Sequence, residues 1–270
     1  MIPRILIPRI LIVAGSDSSG GAGIQADIKT VTMLGGYAAT AVTAVTVQNT
    51  LGVHGVHVVP PEVVAAQMRA VLGDIGVDAV KIGMLGDVAT ILAVAEVLRT
   101  VSVPIVLDPV MVAKGGASLL ADEAIEALID TLMPLATLVT PNTPELEAMT
   151  GSDIEDEADA VLAAQELLDQ GARAILAKGG HLPGDEVADW LVTADVQRRF
   201  AGPRIDTRHT HGTGCTLASA LAVGLGRGLP LDEAVAQARA YVLGAIRHAP
   251  GFGAGHGPLW HGWPLAEQDR

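Results

Sequence analysis

His211, Gly212, Thr213, Gly214 and Cys215 precede an uncharged run of helical character that continues through Leu225. Two glycines at a helix start expose consecutive N–H groups, and with the helix dipole they form a concave positive site suited to a phosphoryl group in transfer. Cys215 sits where that field is strongest. A thiol at a helix N-terminus has its pKa lowered, so Cys215 is expected to accept a proton or act as a reactive thiolate. Its bland reading is a small buried hydrophobe at a helix cap, and the flanking Gly-Thr-Gly favours the chemical one. A second glycine cluster, Gly15, Gly20, Gly21 and Gly23 with Ser16, Asp17, Ser18 and Ser19 between them, follows the first apolar run and leads into a helix carrying Gln25 and Asp27. Such a loop lets backbone approach a ligand closely, although a tight strand-to-helix turn needs the same residues.

Three further apolar runs end in polar or charged residues: Asp108 after Ile-Val-Leu, Asn142 with Glu145 after Leu-Val-Thr, and Lys178 with Gly179 and Gly180 after Ala-Ile-Leu-Ala. Carboxylates suit Mg²⁺ and its waters, and a lysine suits a phosphate. Singly, each acid or Asn serves equally as a helix cap or turn former. Lys178 is costly to bury unpaired, so an anionic partner is expected for it. Gly21, Gly23 and Ala26 satisfy GxGxxA, but they lie well past the strand, and the next strand ends in Gln48, Asn49 and Thr50 with no acid for a ribose. The dinucleotide reading is rejected. No Walker loop or GxSxG elbow is present. His54, His57, His209, His211, His256 and His261 lack zinc spacing and read as solvated loop histidines, while Met84, Met111 and Met149 read as core, Met84 with the option of lining a pocket.

These residues need a scaffold, and the sequence describes one. Apolar runs of strand length at 10–14, 79–83, 105–110, 138–142 and 174–180 alternate with helical patterns at 24–34, 62–72, 87–98, 122–132 and 155–168. Right-handed crossovers then give a mainly parallel sheet, with ligands at the strands' carboxyl ends. Alternating runs at 187–192 and 196–200 predict a short antiparallel edge hairpin, and helices at 214–226 and 231–248 close the chain. The expected fold class is α/β, a three-layer α/β/α sandwich. Residues 9–270 read as a single domain and residues 1–8 as an extension, because Pro3–Ile7 duplicates Pro8–Ile12. Half of the 270 residues are hydrophobic and 17% are charged, which excludes intrinsic disorder. The uncharged stretch 30–53 is too rich in Gly, Thr, Gln and Asn for a membrane span and reads as a buried strand region. A net charge of −13 repels nucleic acid and anionic membrane and argues against both as partners, so any phosphate must be held locally. A single cysteine fits a reducing compartment, with cytoplasm the default.

Seven segments in order, Ala14–Asp27, Thr43–Thr50, Lys81–Leu85, Leu107–Gly116, Thr140–Glu145, Lys178–His181 and His211–Ala220, resemble the bacterial hydroxymethylpyrimidine and phosphomethylpyrimidine kinases of the ribokinase-like superfamily. The resemblance implies a ribokinase-like fold and places Gly15, Asp27, Gln48, Met84 and Val110 around the pyrimidine. It implies Asn142, Glu145, Lys178 and Thr213 around ATP, Asp108 and Glu145 near Mg²⁺, and Gly212, Thr213, Gly214 and Cys215, with Lys178, as the catalytic anion hole. Much of the superfamily carries Asp where Cys215 stands, a difference typical of this branch and of pyridoxal kinases. The chain departs from the family in its duplicated N-terminal segment and in Gly262, where Phe usually completes the ending. The implied reaction is ATP-dependent phosphorylation of 4-amino-5-hydroxymethyl-2-methylpyrimidine, then of its monophosphate, for thiamine diphosphate synthesis. Cys215→Ala is expected to slow the first step more than the second. Pyridoxal or pyridoxine kinase activity is the alternative on the same scaffold. A catalytically idle pyrimidine- or nucleotide-binding protein is a more distant one, opposed by the presence of Lys178, Glu145 and Cys215. A homodimer is implied by the family alone.

Overall fold

The computed structural model describes residues 7–111 and 120–268. Most of the duplicated N-terminal segment, and Lys114, Gly115 and Gly116 of the Leu107–Gly116 segment, lie outside the described residues. Nine strands form one sheet in the order β3-β2-β1-β4-β5-β6-β7-β8-β9. They are β1 (Arg9–Asp17), β2 (Tyr37–Asn49), β3 (Gly52–Val58), β4 (Ala79–Ile82), β5 (Ile105–Leu107), β6 (Leu138–Val139), β7 (Ala174–Lys178), β8 (Glu186–Thr193) and β9 (Gln197–Pro203). The six central strands run parallel. β8 and β9 form the anticipated antiparallel hairpin. The opposite edge is antiparallel too, because β3 folds back on β2. Gly52, His54, Gly55 and His57 break the apolar pattern of β3 and hid it from the sequence. The expectation of a buried strand region at 30–53 holds only in part: β2 keeps Ala41 and Ala44 in the core, yet Val45 and Val47 are exposed.

Helices α1 (Gly23–Met33), α7 (Thr213–Gly226) and α8 (Leu231–Arg247) cover one face, with the short α9 (Trp263–Gln268) against α8. Helices α2 (Pro61–Asp74), α3 (Val88–Leu98), α4 (Asp122–Thr131), α5 (Thr143–Thr150) and α6 (Glu157–Asp169) cover the other. The period of two sorts each strand between them. Ile10, Ile12 and Ala14 pack toward α1 and α7, whereas Leu11 and Val13 pack toward α2 and α3. Ala79, Val106 and Leu176 join the first set, so Lys81, Asp108 and Lys178, each two residues further on, face that same side. Strand parity thus brings three charged side chains beneath the start of α7.

Four predicted strands stop early, two of them by three residues. β5 ends before Asp108 and Pro109, and β6 before Thr140 and Pro141, since proline offers no N–H to a ladder. Helix α5 was not anticipated. Asn142 and Glu145 start it with a reciprocal capping box, Asn142 Oδ1 accepting from the Glu145 N–H (3.0 Å) and Glu145 Oε2 from the Asn142 N–H (2.8 Å). Among the described residues no helix is long and apolar enough to cross a membrane.

Candidate active site

A cavity of about 1250 Å³ opens where the parallel strands end, bounded by the first glycine loop, the start of α7 and the strand ends of β4 to β7. Gly212 is the N-cap of α7 at φ +85°, and a Cβ there would lie 1.9 Å from the Gly21 carbonyl oxygen, so glycine is required. The Thr213 hydroxyl donates to the Thr210 carbonyl (2.8 Å), which locks the turn. Gly214 and Cys215 then occupy helical positions whose N–H groups have no intrahelical acceptor. A Cβ on Gly214 would lie 3.3 Å from Lys178 Nζ and 3.4 Å from Asp108 Oδ2, so this amide-bearing turn faces that pair directly.

Lys178 Nζ donates to Asp108 Oδ1 (2.9 Å) and lies 3.7 Å from Glu145 Oε2. Burial opposes the ammonium, but Asp108 and Glu145 more than restore its charge, and its pKa rises. Glu145 is pushed up to about 7 by burial, with Asp108 adding to the shift and Lys178 opposing it. The expected anionic partner of Lys178 is therefore intramolecular, a two-carboxylate cluster open to the cavity. Asn142 lines the same wall with its Oδ1 engaged in the α5 cap.

The first loop forms the opposing wall. Ser18 Oγ donates to the Gln48 carbonyl (2.8 Å) and accepts from the Gln48 N–H (2.9 Å), tying the loop to the end of β2. The Thr46 hydroxyl lies between the Ser16 carbonyl (2.9 Å) and Gln48 Oε1 (3.2 Å), sharing its one hydrogen with the nearer Ser16 oxygen. Gly15, Gln48, Met84 and Val110 all line the cavity, as do Asp108, Asn142, Glu145, Lys178 and the whole Gly212–Cys215 turn.

Residues 17–260 match the phosphomethylpyrimidine kinase family. The chain belongs to that family. A hydroxymethylpyrimidine/phosphomethylpyrimidine kinase of Streptomyces coelicolor is 49% identical over 265 residues, covering 98% of each chain. The thiamine biosynthesis bifunctional protein ThiED of Geobacter sulfurreducens is 53% identical over 261 residues, 96% of this chain and 53% of that protein, so this chain spans about half of that relative's length. Among solved structures, a phosphomethylpyrimidine kinase of Clostridium difficile superposes with TM-score 0.78 at 41% identity, over 89% of this chain and 99% of that one. A pyridoxal kinase of Bacillus subtilis, solved as an ADP complex, superposes with TM-score 0.89 at 32% identity, over 96% and 99%. The fold is ribokinase-like.

Within this phosphomethylpyrimidine kinase family member, three expectations need correction. Asp27 does not line the cavity. It is fully buried behind the wall, where Lys81 Nζ donates to its Oδ2 (2.9 Å) and the Ser219 hydroxyl to its Oδ1 (2.7 Å). Burial pushes Asp27 up and works against the Lys81 ammonium too, but at 2.9 Å the two hold each other ionised, and Lys81 is raised above its ordinary value. Lys81, not Asp27, borders the cavity. A lysine in the middle of the apolar Ala79–Ile82 strand was the available signal, since such a cation requires a buried partner.

The second correction concerns Cys215. Burial pushes the thiol up to about 11; Lys81 and the Gly23 N–H favour the thiolate, but Asp27 and Asp108 oppose it. The expected lowering by the helix N-terminus is outweighed, because the dipole acts on a desolvated sulfur with carboxylates nearby. Third, His211 and His261 are not solvated loop residues. His211 is 4% exposed and bonded to Asp17 (2.8 Å), and His261 is 3% exposed beside the Thr216 hydroxyl (2.9 Å), where burial lowers it to about 4. Spacing along the chain could not reveal partners 194 and 45 residues away.

Proposed function

We propose that this chain transfers the γ-phosphoryl group of ATP to the 5-hydroxymethyl group of 4-amino-5-hydroxymethyl-2-methylpyrimidine, and then to the resulting monophosphate, as a step toward thiamine diphosphate. One observation carries the reading: the amides of the Gly212–Cys215 turn, the Lys178–Asp108–Glu145 cluster and the Gln48–Met84–Val110 wall share one cavity. Curated relatives named hydroxymethylpyrimidine/phosphomethylpyrimidine kinase support it, at 44–50% identity.

Phosphoryl transfer demands placement and charge stabilisation more than covalent chemistry. The α7 amides face the three equatorial oxygens of the migrating group, and Lys178 neutralises charge as the bond to ADP breaks. Gln48 and Met84 position the pyrimidine, the carboxamide pairing with ring or amino groups. Mg²⁺ fits this site. No group of three acidic or sulfur and nitrogen ligands exists among the described residues, but Mg²⁺ needs only one or two carboxylates besides water and phosphate oxygens, and Asp108 with Glu145 supplies them. When bound, the ion offsets charge on the transferred and leaving phosphates. The exposed apolar residues Val45 and Val47, which share one face of β2, support a homodimer.

Pyridoxal also presents a hydroxymethyl group on a nitrogen-containing ring, and the TM-score of 0.89 to a pyridoxal kinase favours it as a second substrate. A panel of hydroxymethylpyrimidine, its monophosphate and pyridoxal with MgATP, products identified by mass, tests both. Sequential gain of two phosphates on the pyrimidine is expected. ADP release with pyridoxal alone would overturn the assignment.

A further inference from the structure

Asp17 ends β1 and is almost completely buried. Its Oδ1 accepts from the Ser19 N–H (2.8 Å), and its Oδ2 from the Ser19 hydroxyl (2.9 Å), the Gly21 N–H (3.1 Å), the Ala22 N–H (2.8 Å) and His211 Nε2 (2.8 Å). Four of these donors belong to the first loop. The fifth belongs to the residue immediately before Gly212, and it is a side chain 194 positions away.

A carboxylate only accepts, so His211 carries its hydrogen on Nε2. His211 is itself fixed by its backbone, since its N–H donates to the Gly257 carbonyl (3.1 Å). The two loops touch across this bond with no room to spare. A Cβ on Gly21 would lie 2.4 Å from His211 Cδ2, and one on Gly212 would lie 1.9 Å from the Gly21 oxygen. The bond therefore joins the walls of the cavity at their seam.

We propose that the Asp17–His211 hydrogen bond is a clamp that sets the glycine loop at 20–23 against the α7 turn at 212–215, and so positions the amides that receive the migrating phosphoryl group. Both are positioning residues, and their effect on turnover rests on the kinase reading above. Both loops line the cavity, but ground-state binding also rests on Gln48, Met84 and Val110, whereas transfer depends on the two loops being in register. Misplacing catalytic groups by about 1 Å lowers turnover by about 10²-fold.

The test compares wild type with His211→Leu, His211→Gln and Asp17→Asn. The glutamine amide reaches the position of Nε2 and donates to Asp17; leucine offers no donor. With hydroxymethylpyrimidine and MgATP, H211L and D17N are expected to lose about 10²-fold in kcat with KM for both substrates and Kd for ADP within threefold of wild type, and H211Q to recover to within about tenfold. Unchanged kcat in H211L, or H211Q as impaired as H211L, would overturn the proposal. Hydrogen exchange of peptides spanning 18–24 and 212–217 reads the clamp without turnover. Faster exchange in H211L and wild-type exchange in H211Q is expected, and equal exchange in all three overturns the clamp. If wild type phosphorylates no acceptor, the kinase reading fails while the exchange measurement still decides the clamp.

Discussion

Replacing Cys215 distinguishes a base from a wall. Burial pushes its thiol up to about 11, so at pH 7.5 the group is held in the protonated form and the thiolate carries a handicap of about 5 kcal/mol. That handicap matches the upper end of what general base catalysis supplies, about 10²–10⁴-fold. The expectation that follows is that Cys215 serves as a protonated side chain shaping the turn beside Gly23. The acceptors of the two steps differ in the relevant respect, because the alcohol must lose a proton and the phosphate monoester is already ionised. Cys215→Ala is expected to slow both steps by about three- to tenfold, with the two losses within about twofold of each other, as removal of one packing group near the transferring atoms implies. Near-equal losses replace the larger loss in the first step that an activated thiol implies. Rapid-quench single-turnover rates with each acceptor measure it. The wild-type rate of the first step should stay within about twofold between pH 8 and 10, whereas a thiolate base with a pKa near 11 would raise it by almost tenfold per pH unit. A first step slowed tenfold more than the second, or a steep alkaline rise abolished by C215A, would refute this account.

Other perturbations follow from the same geometry. Lys81→Met leaves Asp27 as an uncompensated buried charge and should destabilise the fold by about 3–5 kcal/mol, while adding Asp27→Asn should restore more than half; urea unfolding that finds the two effects additive would sink the ion-pair account. Lys178→Met removes the cation between Asp108 and Glu145 and should lower kcat by about 10²–10³-fold, and a loss below fivefold would show that the cluster takes no part in transfer. Gly212→Ala must either leave φ +85° or collide with the Gly21 oxygen, so turnover should fall by more than 10²-fold with ADP binding, read by calorimetry, much less affected.

The order of most strands and helices, β3 and α5 apart, was legible because strand and helix periods are local, and the runs around 10–14, 79–83 and 174–180 carry them without ambiguity. Most of the candidate cavity wall was legible as well, since a parallel sheet puts the residues after its strands on one edge, and Asp108, Glu145, Lys178 and the Gly212–Cys215 turn all stand there. What escaped were relations between distant residues and the balance of burial against charge. Asp27 looked like a wall residue until packing set Lys81 over it, and His211 looked solvated until the first loop closed around Asp17. The thiol's proton affinity depended on the same thing: a helix N-terminus is visible in sequence, but desolvation and the carboxylates of Asp27 and Asp108 act through space, so only the folded chain could decide their sum.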